Sequence, residues 1–140
     1  MRFFILFLCV LGLLIAPASA ADEYDRFRKG IELADEGEIE EAIHELQGAV
    51  QDGEAHADVY LALGILSEKA DRDFQALEAL LHAQKLKPSL ASIPFALALL
   101  YEKLDLPEKA IGSWKKFIAL TGNKKLIELA KKHIYFLENK

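Results

Sequence analysis

Small residues return at a constant spacing of 34 along this 140-residue chain. Ala42, Ala76 and Ala110 are separated by that interval, and Ala49 and Ala83 repeat it seven residues further on. A fixed period of this length indicates one supersecondary unit that is copied and stacked. Because stacked units form extended surfaces rather than closed catalytic pockets, the spacing bears on function as well as on fold.

Apolar residues recur with a helical period from Tyr24 onward, and nothing after residue 20 has the alternation typical of a strand. The clearest copy has a break at Asp71-Arg72-Asp73 between two helices, and Pro88 ends it because proline cannot donate a hydrogen bond to the preceding helix. The pattern predicts helices over residues 23–35, 39–51, 57–70, 74–86, 91–104, 107–120 and 124–138. The short turns between them imply antiparallel neighbours.

Alanine recurs at one position of the unit in all three copies, and other positions carry characteristic residues in one or two of them. Small residues occur where helices would cross, and they allow the helix axes to approach closely. The three copies cover residues 23–56, 57–90 and 91–124. In register, the first holds Gly30, Ala42, Leu46 and Ala49, and the second holds Tyr60, Leu63, Gly64, Ala76, Leu80, Ala83 and Pro88. The third holds Leu97, Tyr101, Ala110 and Trp114. In these residues the chain resembles the tetratricopeptide repeat. The resemblance implies an all-α fold, a right-handed α-solenoid of three helix-turn-helix repeats with a C-terminal capping helix over residues 124–138.

The N-terminal segment has the pattern of a signal peptide. Arg2 precedes an uninterrupted apolar run over residues 3–15, and small residues follow in the Ala-x-Ala arrangement over residues 16–20. Thirteen helical residues span about 20 Å, less than the ~30 Å of a bilayer core. We therefore expect residues 1–20 to be cleaved, residues 21–140 to form the repeat domain, and the product to be periplasmic without stable membrane insertion. An uncleaved, membrane-anchored adaptor is the alternative.

Composition excludes several classes of function. Cys9 is the only cysteine and lies in the predicted signal peptide, so the mature chain has no disulfide and no thiolate metal site. The formal net charge is −5, and loss of Arg2 makes it −6. A sequence-independent nucleic-acid binder needs an excess of cations to displace counterions from phosphate. We therefore predict no nucleic-acid partner.

No pattern for catalysis is found. The four histidines, His44, His56, His82 and His133, have no recognised metal-ligand spacing, and no nucleophile elbow or phosphate-binding glycine loop is present. We predict that the protein is not an enzyme and has no metal or cofactor. Trp114 falls at a position that the repeat reserves for packing, so we expect it in the core.

The resemblance also implies a binding surface. In tetratricopeptide repeats the first helices line a concave groove, and positions 2, 5, 9, 12 and 13 often contact the ligand. The carboxylate-clamp residues of the best-known groove, Lys and Asn, are missing here, whereas positions 5 and 9 are apolar in all copies, which suits an amphipathic helix or an apolar peptide. The predicted groove residues are Tyr24, Phe27, Ile31, Leu61, Ile65, Glu68, Lys69, Phe95, Leu99, Glu102 and Lys103.

Two functions agree with these features. The first is a non-catalytic scaffold or adaptor of the cell envelope that binds a peptide segment of another protein, with the alternative that the capping helix or a second copy fills the groove. The second is a self-associating structural protein whose ends stack head to tail, because residues 21–58 carry a net charge of −10 and residues 101–140 a net charge of +4. The adaptor is expected to be a monomer at low micromolar concentration until a partner is added. The self-associating protein is not expected to be a monomer at that concentration.

Overall fold

The computed structural model describes residues 25–140, so the predicted signal peptide and Tyr24 lie outside the described residues. Within this range every regular element is helical, and no strand occurs. The predicted all-α solenoid is confirmed. The seven helices are α1 (Asp25–Glu36), α2 (Ile39–Gln51), α3 (Ala57–Lys69), α4 (Asp73–Leu86), α5 (Ser92–Lys103), α6 (Pro107–Leu120) and α7 (Lys124–Glu138).

The turn inside each hairpin contains one residue with a left-handed backbone. Gly37, Asp71 and Asp105 occupy equivalent places in the three copies, with φ angles of 89°, 55° and 54°. A residue in this conformation ends a helix, and glycine and aspartate are among the residues that adopt it most readily. The sharp turn that follows lets the second helix of each hairpin fold back on the first.

Small residues lie where the two helices of a hairpin cross. A Cβ atom placed on Gly64 of α3 would lie 2.5 Å from Leu80 Cγ of α4, and one on Gly30 of α1 would lie 2.8 Å from Leu46 Cγ of α2. Both distances are shorter than van der Waals contact allows. The 34-residue spacing seen in the sequence therefore marks a packing requirement that recurs once per hairpin.

The buried apolar residues form three clusters along the array rather than one centre. The first joins α2 to α3, the second joins α4 to α5, and the third joins α5, α6 and α7. In the third cluster, Ala98, Trp114 and Ala130 have no exposed surface and Phe117 is buried beside them. Trp114 thus lies in the core, as predicted from the sequence. Stability in such an array comes from neighbouring contacts that add along its length.

The first helices form a layer of their own. Cα atoms of α3 lie within 8 Å of both α1 and α5, whereas α4 does not come that close to α2 or α6. The second helices therefore spread apart while the first helices stay together, and the face formed by α1, α3 and α5 is the concave one. We call this face the concave groove.

Candidate functional site

The apolar side chains predicted at position 9 lie on the exposed part of the concave groove. Ile65 and Leu99 each expose 42% of their surface, and Ile31 of α1 is half-buried. These three residues are 34 apart and come from adjacent helices of one layer. Monomeric proteins seldom leave a row of large apolar side chains uncovered without a binding role. The row is the strongest feature of a candidate binding site.

The residues predicted at position 5 form the base of the groove. Phe95 packs against Trp114 and Phe117, with ring centroids 5.4 Å and 5.1 Å away, and Leu61 packs against the second core cluster. Phe27 packs against the first cluster. All three are half-buried. They therefore have a structural role in addition to any contact with a ligand.

A cleft of about 380 Å³ opens beside Phe27 at the N-terminal ends of α1 and α3. Its other walls include Val59 of α3, and Leu86 and Lys87 at the end of α4. Leu86 is 53% exposed. Ile31, Ile65 and Leu99 do not line this cleft, and its walls also include the polar residues His56 and Asp58.

Three of the four charged residues predicted for the groove are engaged inside the array. Lys103 Nζ lies 2.8 Å from Asp73 Oδ1, 3.0 Å from Asp71 Oδ1 and 3.3 Å from Glu68 Oε1. The carboxylates of Asp73 and then Asp71 raise the pKa of the Lys103 ammonium above its usual range. The Lys103 ammonium thus connects α5 to the preceding hairpin through ion pairs. Lys69, by contrast, is exposed and forms no ion pair within residues 25–140.

Glu102 takes part in a contact that the sequence did not reveal. Its Oε1 accepts a hydrogen bond from Trp114 Nε1 at 2.5 Å and lies 2.9 Å from Nδ1 of His133. The His133 ring is also 4.7 Å from the Trp114 ring. Glu102 thus links α5, α6 and α7, and its position at the edge of the groove comes from this structural role. His133 is half-buried.

The capping helix does not fill the concave groove. Among the described helices, α7 comes within 8 Å of α6 alone, measured between Cα atoms. It therefore leaves α1 and α3 uncovered. The alternative that the capping helix folds back into the groove is wrong for the described part of the chain.

Side chains suited to metal binding do not come together within residues 25–140, where no group of three or more His, Cys, Asp or Glu residues forms a possible site. In the same range, no helix combines the length and the apolar character required to cross a membrane.

Comparison with solved structures shows the same fold in several bacterial proteins. SycD, a type III secretion chaperone of Yersinia enterocolitica solved with a peptide of the translocator YopD, has a TM-score of 0.78 at 14% identity, covering 86% of this chain and 95% of SycD. PcrH of Pseudomonas aeruginosa, solved with the chaperone-binding region of PopD, has a TM-score of 0.74 at 18% identity, covering 90% and 96%. A point mutant of MamA has a TM-score of 0.70 at 19% identity, covering 81% of this chain and 64% of MamA.

No protein-family model matches the sequence. No curated protein matches it either. The likeness to solved structures therefore concerns the fold: the chain is an array of stacked helical hairpins like those of SycD, PcrH and MamA.

Proposed function

We propose that this chain is a non-catalytic adaptor that binds an apolar or amphipathic segment of another protein in the concave groove. The observation that carries the proposal is the row formed by Ile31, Ile65 and Leu99, in which two residues are 42% exposed and no described helix covers them. An amphipathic helix would bury its apolar face against such a row, and an extended peptide would place alternate side chains on it.

Proteins of the same fold support this proposal. SycD was solved with a peptide of the translocator YopD, and PcrH was solved with the chaperone-binding region of PopD. Their identity to this chain is 14% and 18%, so the partner of this chain is inferred only as a class: a short segment of a protein. Because repeat positions 5 and 9 in the groove are apolar in all three copies, we propose that the segment is recognised mainly by its apolar side chains.

The expected affinity is moderate. Burying three or four apolar side chains contributes about 1.5–3 kcal/mol each. Association costs on the order of 4–15 kcal/mol in lost translational and rotational freedom. At the favourable end of both ranges the balance is about 8 kcal/mol, so these apolar contacts alone give a dissociation constant no tighter than the micromolar range.

A groove variant tests the proposal. We expect Ile65→Glu combined with Leu99→Glu to lower the affinity for a bound segment at least about tenfold, because a single buried apolar contact is worth about that much. Both side chains are exposed, so the substitutions leave the core intact. The measurement is capture from an envelope extract with wild-type and variant protein, followed by titration of the captured segment as a synthetic peptide.

A matched control comes from the second helices. Leu81 of α4 and Leu120 of α6 are 37% and 40% exposed, so Leu81→Glu combined with Leu120→Glu makes the same chemical change away from the groove. We expect this control to bind like the wild type. If both variants lose affinity for the segment equally, or if neither loses affinity, the result contradicts binding in the groove.

We further propose that the protein works in the periplasm after export. The support is the sequence of residues 1–20, with Arg2, the apolar run and the Ala-x-Ala arrangement. We expect the protein purified from a periplasmic fraction to begin at Ala21. Intact mass spectrometry checks this prediction. A mass that retains residues 1–20 would favour the membrane-anchored alternative, and recovery only from the cytoplasm would contradict export.

A further inference from the structure

A half-open cleft lies at the N-terminal end of the described array. Its volume is about 380 Å³. Two of its residues belong to α1 and four to α2, and three of the six are glutamates. We call this surface the acidic end: Lys29, Leu33, Glu40, Glu41, His44 and Glu45.

The acidic end has the shape of a repeat junction from which one helix is missing. Ser67, Gln75 and Ala79, each 34 residues after a member of the acidic end, line a cleft of about 360 Å³ in the next hairpin. In that cleft, Gln47 and Val50 of α2 form the opposite wall. At the acidic end no described helix provides such a wall. A helix placed there would complete the arrangement found in the next repeat.

The carboxylates at this end are only partly neutralised. Lys29 Nζ lies 2.6 Å from Glu45 Oε1, and this hydrogen bond is the main cause that lowers the pKa of Glu45. Arg72 pairs with Glu40. Glu41 pairs with no cation of residues 25–140, and the same holds for Asp35, Glu36 and Glu38 in and beside the first hairpin turn. The acidic end therefore has negative charge left over for a cationic partner.

The opposite end of the array offers a helix of complementary character. On α7, Tyr135 is 71% exposed, Phe136 is 68% exposed and Leu129 is 39% exposed. Helical spacing puts Lys125, Leu129, Lys132 and Phe136 on one face. Lys124, Lys125 and Lys132 pair with no carboxylate of the described chain. We call this face of α7 the basic end.

We propose that the basic end of one copy docks into the acidic end of a second copy, so that molecules associate head to tail. A lysine-rich helix with exposed aromatic rings meets both requirements of the half-open cleft, since it supplies a missing wall and cations for unpaired carboxylates. Such a contact joins two different surfaces, so further copies add at the free ends and form short filaments, or a ring where the rotation between copies closes. It uses neither Ile65 nor Leu99, and the concave groove stays free.

The occupant is a second copy rather than a lipid surface because the complementary charges lie on the same chain. A membrane would explain the lysines and aromatic rings of α7, but it would leave the acidic half-open cleft without a partner. A single contact between the basic end of one copy and the acidic end of another gives both surfaces a partner. The inference is therefore independent of the proposed peptide binding, and either can fail without the other.

Sedimentation velocity on the full chain, with its N terminus as the producing cell leaves it, tests this proposal. We expect monomers at low micromolar concentration and head-to-tail oligomers toward about 100 μM at low salt, in the range of weak contacts. Raising the salt from about 50 mM to about 500 mM should weaken the association at least about tenfold, because exposed charges are screened.

Charge reversal identifies the two surfaces. We expect Lys132→Glu and Glu41→Lys each to weaken association about tenfold. The double variant carrying both changes should regain most of the wild-type association, because the swapped charges again face each other. Lys85→Glu on α4, an exposed lysine outside both ends, is the matched control and should associate like the wild type. All variants should keep the peptide affinity of the wild type.

Three results would overturn the proposal. One is a monomer at about 100 μM and low salt. Another is association that is equally weakened by Lys132→Glu and by Lys85→Glu, or that the double variant does not restore. The third is binding to vesicles of phosphatidylglycerol and phosphatidylcholine by a chain that does not self-associate, which would assign the basic end to a lipid surface.

Discussion

Replacing Trp114 by alanine is expected to lower the free energy of unfolding by about 3–5 kcal/mol, the usual cost of removing a large buried aromatic ring. The indole has no exposed surface and packs against Phe95 and Phe117 at the centre of the third cluster. Its removal leaves a cavity between α5, α6 and α7. Urea denaturation followed by far-ultraviolet circular dichroism measures the effect, because the variant has no tryptophan left for fluorescence.

The conservative variant Trp114→Phe separates packing from hydrogen bonding. A phenyl ring keeps most of the buried volume but removes the Nε1 donor to Glu102. Glu102 keeps its contact with His133, so we expect a smaller loss of about 1–2 kcal/mol. If Trp114→Ala costs less than about 1 kcal/mol, the third cluster does not hold α7 on the array as described.

Gly64→Ala and Gly112→Ala are expected to change stability in opposite directions. A Cβ atom at Gly64 would lie 2.5 Å from Leu80 Cγ, which is buried, so we expect the added methyl group to cost about 1–3 kcal/mol through overpacking. Gly112 also lies inside a helix, but a Cβ atom there meets nothing within 4 Å. Alanine at that site should therefore stabilise the protein by about 0.5–1 kcal/mol.

Trp114 fluorescence measures both glycine variants, because it is the only tryptophan and unfolding exposes it to water. The pair controls for helix propensity, since both variants make the same change in the interior of a helix. Equal changes in the two variants would show that propensity dominates and that the crossing of α3 and α4 is not tight. A stabilised Gly64→Ala variant would contradict the close approach described for this hairpin.

The helices were predictable from the sequence because local patterns determine them. The predicted bounds of α2 and α7 coincide with the observed Ile39–Gln51 and Lys124–Glu138. Gly37 and Gly53 flank α2 with left-handed backbones, and the Asn123 side chain caps the start of α7, local features that need no distant partner. The close approach of the two helices at Gly30 and at Gly64 was predictable for the same reason, because each approach occurs within one hairpin.

The groove was predictable only in part. Repeat position identifies Ile65 and Leu99 as exposed apolar residues, and the structure places both on the concave groove. Repeat position alone does not show that Phe95 packs on Trp114 or that Lys103 is engaged by Asp73. Those contacts depend on side chains that only these copies carry, so a pattern shared by many repeats contains no information about them.

The contact of Glu102 with Trp114 and His133 had no sequence pattern to predict it. The three residues are separated by 12 and 31 positions and come from three helices. A metal-ligand or catalytic spacing would have indicated such a group, but a structural link between helices follows no fixed spacing.

The arrangement in which each helix meets its neighbours along the chain has a consequence for how the protein folds. The contacts join elements close in sequence, and the layer of first helices adds only α1 with α3 and α3 with α5. Chains of low contact order reach their native state quickly, on a scale of microseconds to milliseconds for helical domains. The chain can therefore begin to fold at whichever hairpin forms first, and each completed hairpin provides the template for the next.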